Sequence, residues 1–218
     1  MNKMAPTIQK LIDGNKEFRK KFFHGDSRLF DELVAYGQKP KIMIIACSDS
    51  RVDPSTIFNC QPGELFTVRN VANLVPPYEE HGTYHGTSAA LEFGVRFLCV
   101  EQIIVLGHTQ CGGIQALVES VAQVLQPQQH SFIAPWMSLA RPAYEKVVAD
   151  HAGASLADKV VLCEQYTLIN SLRNLQSFPW IQERVAQRTL AVHAWYLALS
   201  TGIIHAYDEW HDCWGAVE

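Results

Sequence analysis

Apolar runs of strand length alternate along the chain with segments that carry apolar residues at helical spacing. Residues 42–46 are wholly apolar, residues 102–106 nearly so, and residues 64–70 alternate between apolar and polar positions. A strand that is apolar on both faces is typical of a parallel sheet covered by helices on both sides. We therefore predict strands at these three places, with the first and third in the interior of the sheet.

Helices are predicted where apolar residues recur every three or four positions. The segments with this spacing are residues 8–22, 27–36, 88–100, 113–125 and 154–175. In the second of them Leu29, Phe30, Leu33 and Val34 are expected to face inward, and Gly37 is expected to end the helix. Residues 126–142 contain prolines and are predicted to form a looser connection.

The end of the chain has a different pattern. Residues 190–199 and 202–207 are predicted to be two strands joined by a Ser-Thr-Gly turn, most simply an antiparallel hairpin. The alternation of strands and helices before them favours an α/β fold: a parallel-centred β-sheet flanked by helices, with an antiparallel C-terminal addition. No stretch resembles a linker, so residues 1–218 are predicted to form a single domain. Within it, an N-terminal helical arm, residues 1–37, precedes the α/β part, residues 38–218.

Composition and charge exclude several classes of function. The chain has 218 residues and a formal net charge of −4, which argues against a nucleic-acid-binding surface. No apolar run approaches the roughly 18–20 residues that span a bilayer, and the N-terminus lacks the apolar core of a signal peptide. We therefore expect no membrane contact and a cytoplasmic location. In that compartment the six cysteines are not expected to form disulfides; each is a buried thiol, a metal ligand or a nucleophile.

Reactive side chains follow two of the apolar strands. Cys47, Asp49 and Arg51 come directly after the first strand, and His108 and Cys111 follow the third. Ligands bind beyond the carboxyl ends of strands in open α/β sheets, and the helix predicted between these strands would place them side by side. Two cysteines and a histidine are good zinc ligands, and three protein ligands with a fourth position open is the pattern of a catalytic site.

The spacing C-x-D-x-R gives each of its residues a role at such a site. Zinc held by three ligands lowers the pKa of a bound water to near neutrality, and Asp49 is suited to orient the resulting hydroxide. Arg51 can bind that carboxylate through two N–H groups and keep it off the metal. The competing interpretation makes Cys47 and Cys111 core thiols and His108 a helix cap. The joint occurrence of all three residues at two strand ends favours the metal site.

At this point the sequence resembles the β-class carbonic anhydrases. The stretches that carry the resemblance are CSDSR (47–51), PGELFTVRNVANLVPP (62–77) and GHTQCGG (107–113). The resemblance implies that Cys47, His108 and Cys111 bind Zn²⁺ and that Asp49 and Arg51 form a catalytic dyad. In some members of the family the residue equivalent to Asp49 binds the zinc directly and closes the site reversibly.

The resemblance also implies a substrate pocket and a particular assembly. The pocket residues fall on Gln38, Phe66, Val71, Phe93 and Gly112. Phe93 stands where plant-like members have a tyrosine. The family forms homodimers, often paired into dimers of dimers, and the residue equivalent to Gln38 reaches the active site across the dimer interface. Ile44 stands where one subgroup has a tryptophan that builds a second, regulatory bicarbonate pocket, although Arg69 matches the arginine of that pocket. We therefore predict a plant-like member without the regulatory pocket.

These expectations converge on the reversible hydration of carbon dioxide to bicarbonate and a proton. One alternative is a related zinc hydrolase that acts on carbonyl sulfide or carbon disulfide, because the chemistry is the same attack on a linear triatomic molecule. Another is a non-catalytic scaffold stabilised by zinc, for which a broken dyad or a filled fourth position is expected. His81 and His85 could relay protons to buffer or be loop histidines without a role, and the sequence leaves this open.

Overall fold

The computed structural model describes residues 5–24, 28–80, 85–121 and 131–217. Contacts within the chain divide it into two compact units, Met1–Lys39 and Pro40–Glu218. The helices of the described residues are α1 (Pro6–Phe23), α2 (Leu29–Tyr36), α3 (Pro54–Ile57), α4 (Gly86–Glu92), α5 (Gly112–Val121), α6 (Ile133–Met137), α7 (Arg141–Asp150), α8 (Leu156–Leu175) and α9 (Pro179–Ala186). The strands are β1 (Ile42–Cys47), β2 (Leu65–Asn70), β3 (Gln102–His108), β4 (Ala191–Leu197), β5 (Ile204–Asp208) and β6 (Cys213–Ala216).

The N-terminal unit consists of α1 and α2, which meet through aromatic side chains. The rings of Phe22 and Phe30 lie 5.3 Å apart edge to face, and Phe18 contacts both. Gly37 ends α2 with a φ of 74°, a left-handed conformation that glycine adopts without steric cost. The expectation that Val34 faces inward is wrong for this chain, because Val34 is 81% exposed. It lies on the side of α2 away from the contact with α1.

The second unit is built on one six-stranded sheet with the order β2-β1-β3-β4-β5-β6. The pairs β1–β2, β1–β3 and β3–β4 are parallel, and β4–β5 and β5–β6 are antiparallel. This arrangement confirms the predicted parallel-centred sheet with an antiparallel C-terminal addition. β6 extends the predicted hairpin by one strand.

Side chains of the central strands alternate between two cores, one on each face of the sheet. Ile44 and Ile104 belong to the core that α5, α7 and part of α8 cover. Ile45 and Ile103 belong to the opposite core, which α4, α9 and the other side of α8 contribute to. Both faces are therefore dry, which explains why β1 and β3 have no polar face in the sequence.

Two predicted segments differ from the observed structure, and one lies partly outside the described residues. The predicted helix 88–100 is α4 followed by a π-helical turn at Phe93–Phe97. The end of the predicted helix 113–125 lies outside the described residues beyond 121. The described part of the connection 126–142 is largely helical, because α6 lies there and α7 begins at Arg141. Pro135 and Pro142 occupy first turns, where the missing N–H of proline has no partner to lose.

Helix α8 lies directly on β3, close to the point where that strand ends. A methyl group added at Gly107 would lie 2.8 Å from Cδ1 of Leu168, a residue in the middle of α8. The glycine therefore permits a close helix-to-strand approach, because a larger residue would force Leu168 to shift.

Among the described residues, no helix is long and apolar enough to cross a membrane.

Candidate metal centre

Three side chains meet where β1 and β3 end. Cys47 is the last residue of β1, His108 is the last residue of β3, and Cys111 precedes α5. One ligand atom of each lies within 4.8 Å of those of the other two, and all three residues are buried. β1 and β3 are adjacent and parallel, so the two strand ends meet at one edge of the sheet as predicted.

The imidazole of His108 has one nitrogen in use and one free. Nδ1 lies 2.8 Å from the carbonyl oxygen of Thr109, which fixes the proton on Nδ1. Nε2 is buried and has no hydrogen-bond partner among the described residues. A buried unpaired nitrogen is costly, and its lone pair is the kind of donor that zinc binds. The donor set therefore fits a zinc ion.

The Cys47 sulfur receives backbone N–H groups from a strained loop. The N–H of Asp49 lies 3.5 Å from Sγ, and the N–H of Ala72 also points at it. Ala72 and Asn73 have φ values of 62° and 47°, both left-handed, which is uncommon for residues other than glycine. The Asn70 side chain holds this loop, because its amide accepts the N–H of residue 74 at 2.9 Å and donates to the carbonyl of the same residue at 2.8 Å.

The Cys111 sulfur lies at the N-terminus of α5. The backbone N–H groups of Gly113 and Ile114 in the first turn point at it, and exposed helix N–H groups favour negative charge. The pKa of Cys47 is lowered to about 4, first because the Cys111 thiol donates a hydrogen bond to it. The pKa of Cys111 is raised for the same reason. A cation bound between the two sulfurs would favour the thiolate form of both.

The Asp49–Arg51 pair has the geometry that the sequence predicted. Arg51 donates Nε to one carboxylate oxygen at 3.0 Å and Nη2 to the other at 2.7 Å, and its backbone N–H adds a third bond at 2.9 Å. These bonds, the side-chain pair first, hold the pKa of Asp49 well below its usual range. Nη2 also donates to the carbonyl of Gln110 at 3.1 Å. Arg51 therefore joins the segment after β1 to the segment after β3.

Arg69 supports the same segment from the neighbouring strand β2. Its Nε donates to the carbonyl of Cys47 at 3.0 Å, and its Nη2 donates to the carbonyl of Asp49 at 2.6 Å. Nη1 lies 3.3 Å from a carboxylate oxygen of Asp53. Its guanidinium is therefore engaged with protein atoms, and Ile44 is buried in the core. These hydrogen bonds favour a structural role for Arg69.

The five residues assigned to the substrate pocket lie on several separate elements of the chain. The rings of Phe66 and Phe93 are 5.8 Å apart. Val71 lines an apolar cavity of about 950 Å³ and accepts a hydrogen bond from Trp136 Nε1 at 2.8 Å. Gly112 is the first residue of α5. Gln38 belongs to the separate N-terminal unit.

Of the two histidines considered as proton relays, His81 lies outside the described residues. His85 lines the same cavity as Val71, and its Nε2 is 3.8 Å from a carboxylate oxygen of Glu79. The structure therefore brings His85 near Val71, and the proton relay stays a prediction.

Sequence analysis missed a buried carboxylate that contacts the metal segment. Glu164 of α8 accepts the backbone N–H of Cys111 at 2.8 Å and the hydroxyl of Tyr196 at 2.5 Å. The pKa of Glu164 is raised, because burial disfavours the charged carboxylate. The two hydrogen bonds act in the opposite direction but do not cancel this effect. The only signal in the sequence is a glutamate among the apolar residues of a long helix.

Comparison with known proteins agrees with this geometry. The sequence model of the carbonic anhydrase family matches residues 42–204. The chain is 42% identical over 179 residues to beta carbonic anhydrase 5, chloroplastic, of Arabidopsis thaliana; the match covers 82% of this chain and 58% of that protein. It is 36% identical over 204 residues to beta carbonic anhydrase 3 of the same organism, covering 93% and 76% of the two chains.

Similar solved structures are also β-carbonic anhydrases. The structure of the β-carbonic anhydrase CcaA has a TM-score of 0.87 at 31% identity, with 98% of this chain and 93% of that chain covered. A tetrameric β-carbonic anhydrase from the ascomycete Sordaria macrospora has a TM-score of 0.80 at 26% identity, with 97% of this chain and 100% of that chain covered.

Removing either sulfur ligand should remove the metal. We expect Cys47→Ser and Cys111→Ser to lose most of the zinc that the purified wild-type chain carries, because a serine hydroxyl is a much poorer zinc ligand than a thiolate. Elemental analysis by mass spectrometry measures the metal content per chain. Cys60→Ser, which changes a cysteine outside the cluster, is the control and should keep its zinc. A full complement of zinc in both ligand variants would refute the site.

Proposed function

Because the chain belongs to the carbonic anhydrase family, and to its β class, we propose that it catalyses the reversible hydration of carbon dioxide to bicarbonate and a proton. One observation carries this proposal: two sets of side chains lie together where β1 and β3 end. One is the buried Cys-His-Cys set, and the other is the Asp49 carboxylate, which Arg51 holds through two N–H groups. A non-catalytic zinc scaffold has no need of such a dyad. The dyad therefore favours an enzyme.

Cys47, His108 and Cys111 would hold the zinc ion. When bound, zinc supplies Lewis acidity that brings the deprotonation of water close to neutral pH. Hydration of carbon dioxide adds the oxygen of a water molecule to carbon and turns one C=O double bond into a single bond. One proton of the water is released to solvent or buffer.

Asp49 would orient the attacking oxygen. Its side chain is 19% exposed, so part of the carboxylate is accessible to solvent and to a small substrate. Because the pKa of Asp49 is depressed by Arg51, the group stays ionised at neutral pH and can accept a hydrogen bond from the O–H of the nucleophile. That bond turns a lone pair of the oxygen toward CO₂. Asp49 is too weak a base to keep the proton, so the proton must leave by another route.

Arg51 would keep the carboxylate in this role. A free carboxylate beside a bound zinc ion is itself a good ligand and would fill the fourth position. The three hydrogen bonds from Arg51 hold both oxygens of Asp49 and compete with the metal for them. The further bond from Arg51 to the Gln110 carbonyl fixes the guanidinium in place.

An apolar wall suits a small uncharged substrate. We expect Phe66, Val71 and Phe93 to form it beside Gly112, as the resemblance to the family implies. Phe93 lacks the hydroxyl that a tyrosine would offer, so bicarbonate should have one hydrogen-bond partner fewer in this pocket. CO₂ carries no charge and loses little from that change.

Self-association is the second part of the proposal. Phe93 is 45% and Phe97 is 68% exposed, and their stacked rings form an apolar surface with Phe66. Contiguous exposed apolar side chains often mark a protein interface. We propose that a second copy of the chain covers apolar surface of this kind in a homodimer or a dimer of dimers. Gln38 of one copy would then complete the active site of the other.

The role of Asp49 can be tested separately from metal binding. Asp49→Asn should keep its zinc but lose about 100-fold or more in kcat/KM for CO₂, because a neutral amide accepts more weakly and presents an N–H on one side. Stopped-flow assay of CO₂ hydration measures this, with Asp150→Asn, a change at an exposed surface carboxylate, as the control. Full activity of Asp49→Asn at full zinc occupancy would contradict the role.

The same assay separates the substrates. Turnover of carbonyl sulfide and carbon disulfide, measured on the same preparation, should be far below turnover of CO₂. The reverse order would favour the related hydrolase.

Subunit complementation tests the shared active site. Gln38→Ala and Asp49→Asn homodimers should each be impaired, whereas a mixed dimer of the two variants should regain one working site. That site has Asp49 from the first chain and Gln38 from the second. Co-expression with two different affinity tags isolates the mixed dimer, and sedimentation confirms its size. No recovery in the mixed dimer, or a fully active wild-type monomer at assay concentration, would contradict the arrangement.

A further inference from the structure

Glu164 is a buried acid without a cationic partner. It is 3% exposed, and no ion pair to it occurs in the part of the chain that the structure describes. Its hydrogen bonds run to the backbone N–H of Cys111 and to the hydroxyl of Tyr196. Burying a carboxylate costs several kcal/mol unless strong interactions compensate. A leucine would fill the same place in an apolar helix face without that cost.

The position of α8 explains how this side chain reaches the metal segment. Leu168 packs so closely on Gly107 that an added methyl group would lie 2.8 Å from its Cδ1. Glu164 precedes Leu168 by four residues, so the two lie on one face of the helix. Gly107 is next to His108. The face of α8 that presses on the end of β3 therefore also presents the carboxylate to Cys111.

Other polar residues on α8 hold the neighbouring segment. Ser171 Oγ accepts the N–H of Val75 at 3.4 Å, and Asn174 Nδ2 donates to the Val75 carbonyl at 2.7 Å. Val75 follows the strained loop at Ala72 that contacts the Cys47 sulfur. Helix α8 thus holds two backbone segments near the centre, one at Val75 and one at Cys111. Of its polar side chains named here, Glu164 is the one that contacts a ligand residue.

The segment that Glu164 holds is itself strained. Gln110 has a φ of 58°, a left-handed conformation that costs free energy in a residue with a side chain. Arg51 donates to the carbonyl of Gln110, and Glu164 accepts the N–H of the next residue, Cys111. The peptide unit between Gln110 and Cys111 is therefore held at both of its polar groups. Without Glu164, the N–H of this peptide would lose its side-chain acceptor, and the backbone beside Cys111 would be held less firmly.

We propose that Glu164 is a positioning residue for the metal centre, which holds the Gln110–Cys111 peptide so that Cys111 and His108 meet a zinc ion in a preset geometry. Tyr196 orients the carboxylate by donating to its second oxygen. The inference rests on the proposed zinc site and deepens it. Groups that orient ligands in this way typically contribute 10- to 100-fold to metal affinity.

Zinc affinity of the folded protein tests this role. Glu164→Met keeps the volume but removes the acceptor, and it should lower zinc affinity by about 10- to 100-fold in competition with a chromophoric chelator. Glu164→Gln keeps an oxygen that can accept the N–H of Cys111, so its affinity should stay within a few fold of wild type. Thr167→Val, which removes a buried hydroxyl of the same helix that has no hydrogen-bond partner among the described residues, is the matched control and should leave zinc affinity unchanged. Circular dichroism confirms that each variant is folded.

Cobalt substitution gives a second readout that a purely structural role would not change. The visible absorption of bound Co²⁺ depends on ligand geometry, so Glu164→Met should shift the bands and Glu164→Gln should restore them. Wild-type affinity and an unchanged cobalt spectrum in folded Glu164→Met would overturn the proposal. If that variant does not fold, Tyr196→Phe decides: we expect a several-fold loss of zinc affinity, and no loss would overturn the proposal.

These measurements can refute the positioning role without refuting the proposed function, and the reverse also holds. A wild-type protein that binds zinc tightly, loses affinity in Glu164→Met and yet does not hydrate CO₂ would retain the positioning role and refute the enzyme. An active wild-type enzyme whose Glu164→Met variant binds zinc normally would retain the enzyme and refute the positioning role.

Discussion

The centre depends on the parallel pairing of β1 with β3. In the register of these strands Ala46 lies beside Leu106, so their carboxyl ends reach the same edge of the sheet. Cys47 follows one of these residues directly, and His108 follows the other by two positions. Buried apolar side chains on both faces fix the pairing, since a shift by one residue would turn every core side chain to the opposite face. The packing that fixes the pairing of β1 with β3 therefore also fixes the positions of the metal ligands.

Around this edge the backbone is strained and is held from several directions. Ala72, Asn73 and Gln110 are left-handed residues with side chains. Asn70 holds the first two through residue 74, while Arg51 and Glu164 hold the peptide after Gln110. At this edge the N–H of Asp49 lies 3.5 Å from the sulfur of Cys47, and Nε2 of His108 has no hydrogen-bond partner among the described residues. Such strain persists where the surrounding contacts over-determine the backbone, as they do here.

Sequence patterns predicted the parts of the structure that depend on local order. β1, β2 and β3 were predictable from apolar runs, and the ligands from the reactive residues that end two of those runs. Helix α6 and the start of α7 were not, because the prolines of residues 126–142 suggested a looser connection although Pro135 and Pro142 occupy first turns. Val34 was misassigned because periodicity shows which residues share a face, but not which face is covered. The contact of Glu164 with Cys111 spans 53 positions and leaves no local pattern.

We propose that Arg51 keeps Asp49 off the metal, so that a three-ligand centre stays open to substrate. A crystal structure of the zinc-loaded wild-type protein at neutral pH, with anomalous diffraction measured at the zinc absorption edge, tests this role of Arg51. We expect one zinc peak bounded by Cys47, His108 and Cys111, with both oxygens of Asp49 hydrogen-bonded to Arg51. A zinc ion elsewhere, or one with Asp49 as its fourth ligand and Arg51 turned away, would contradict it.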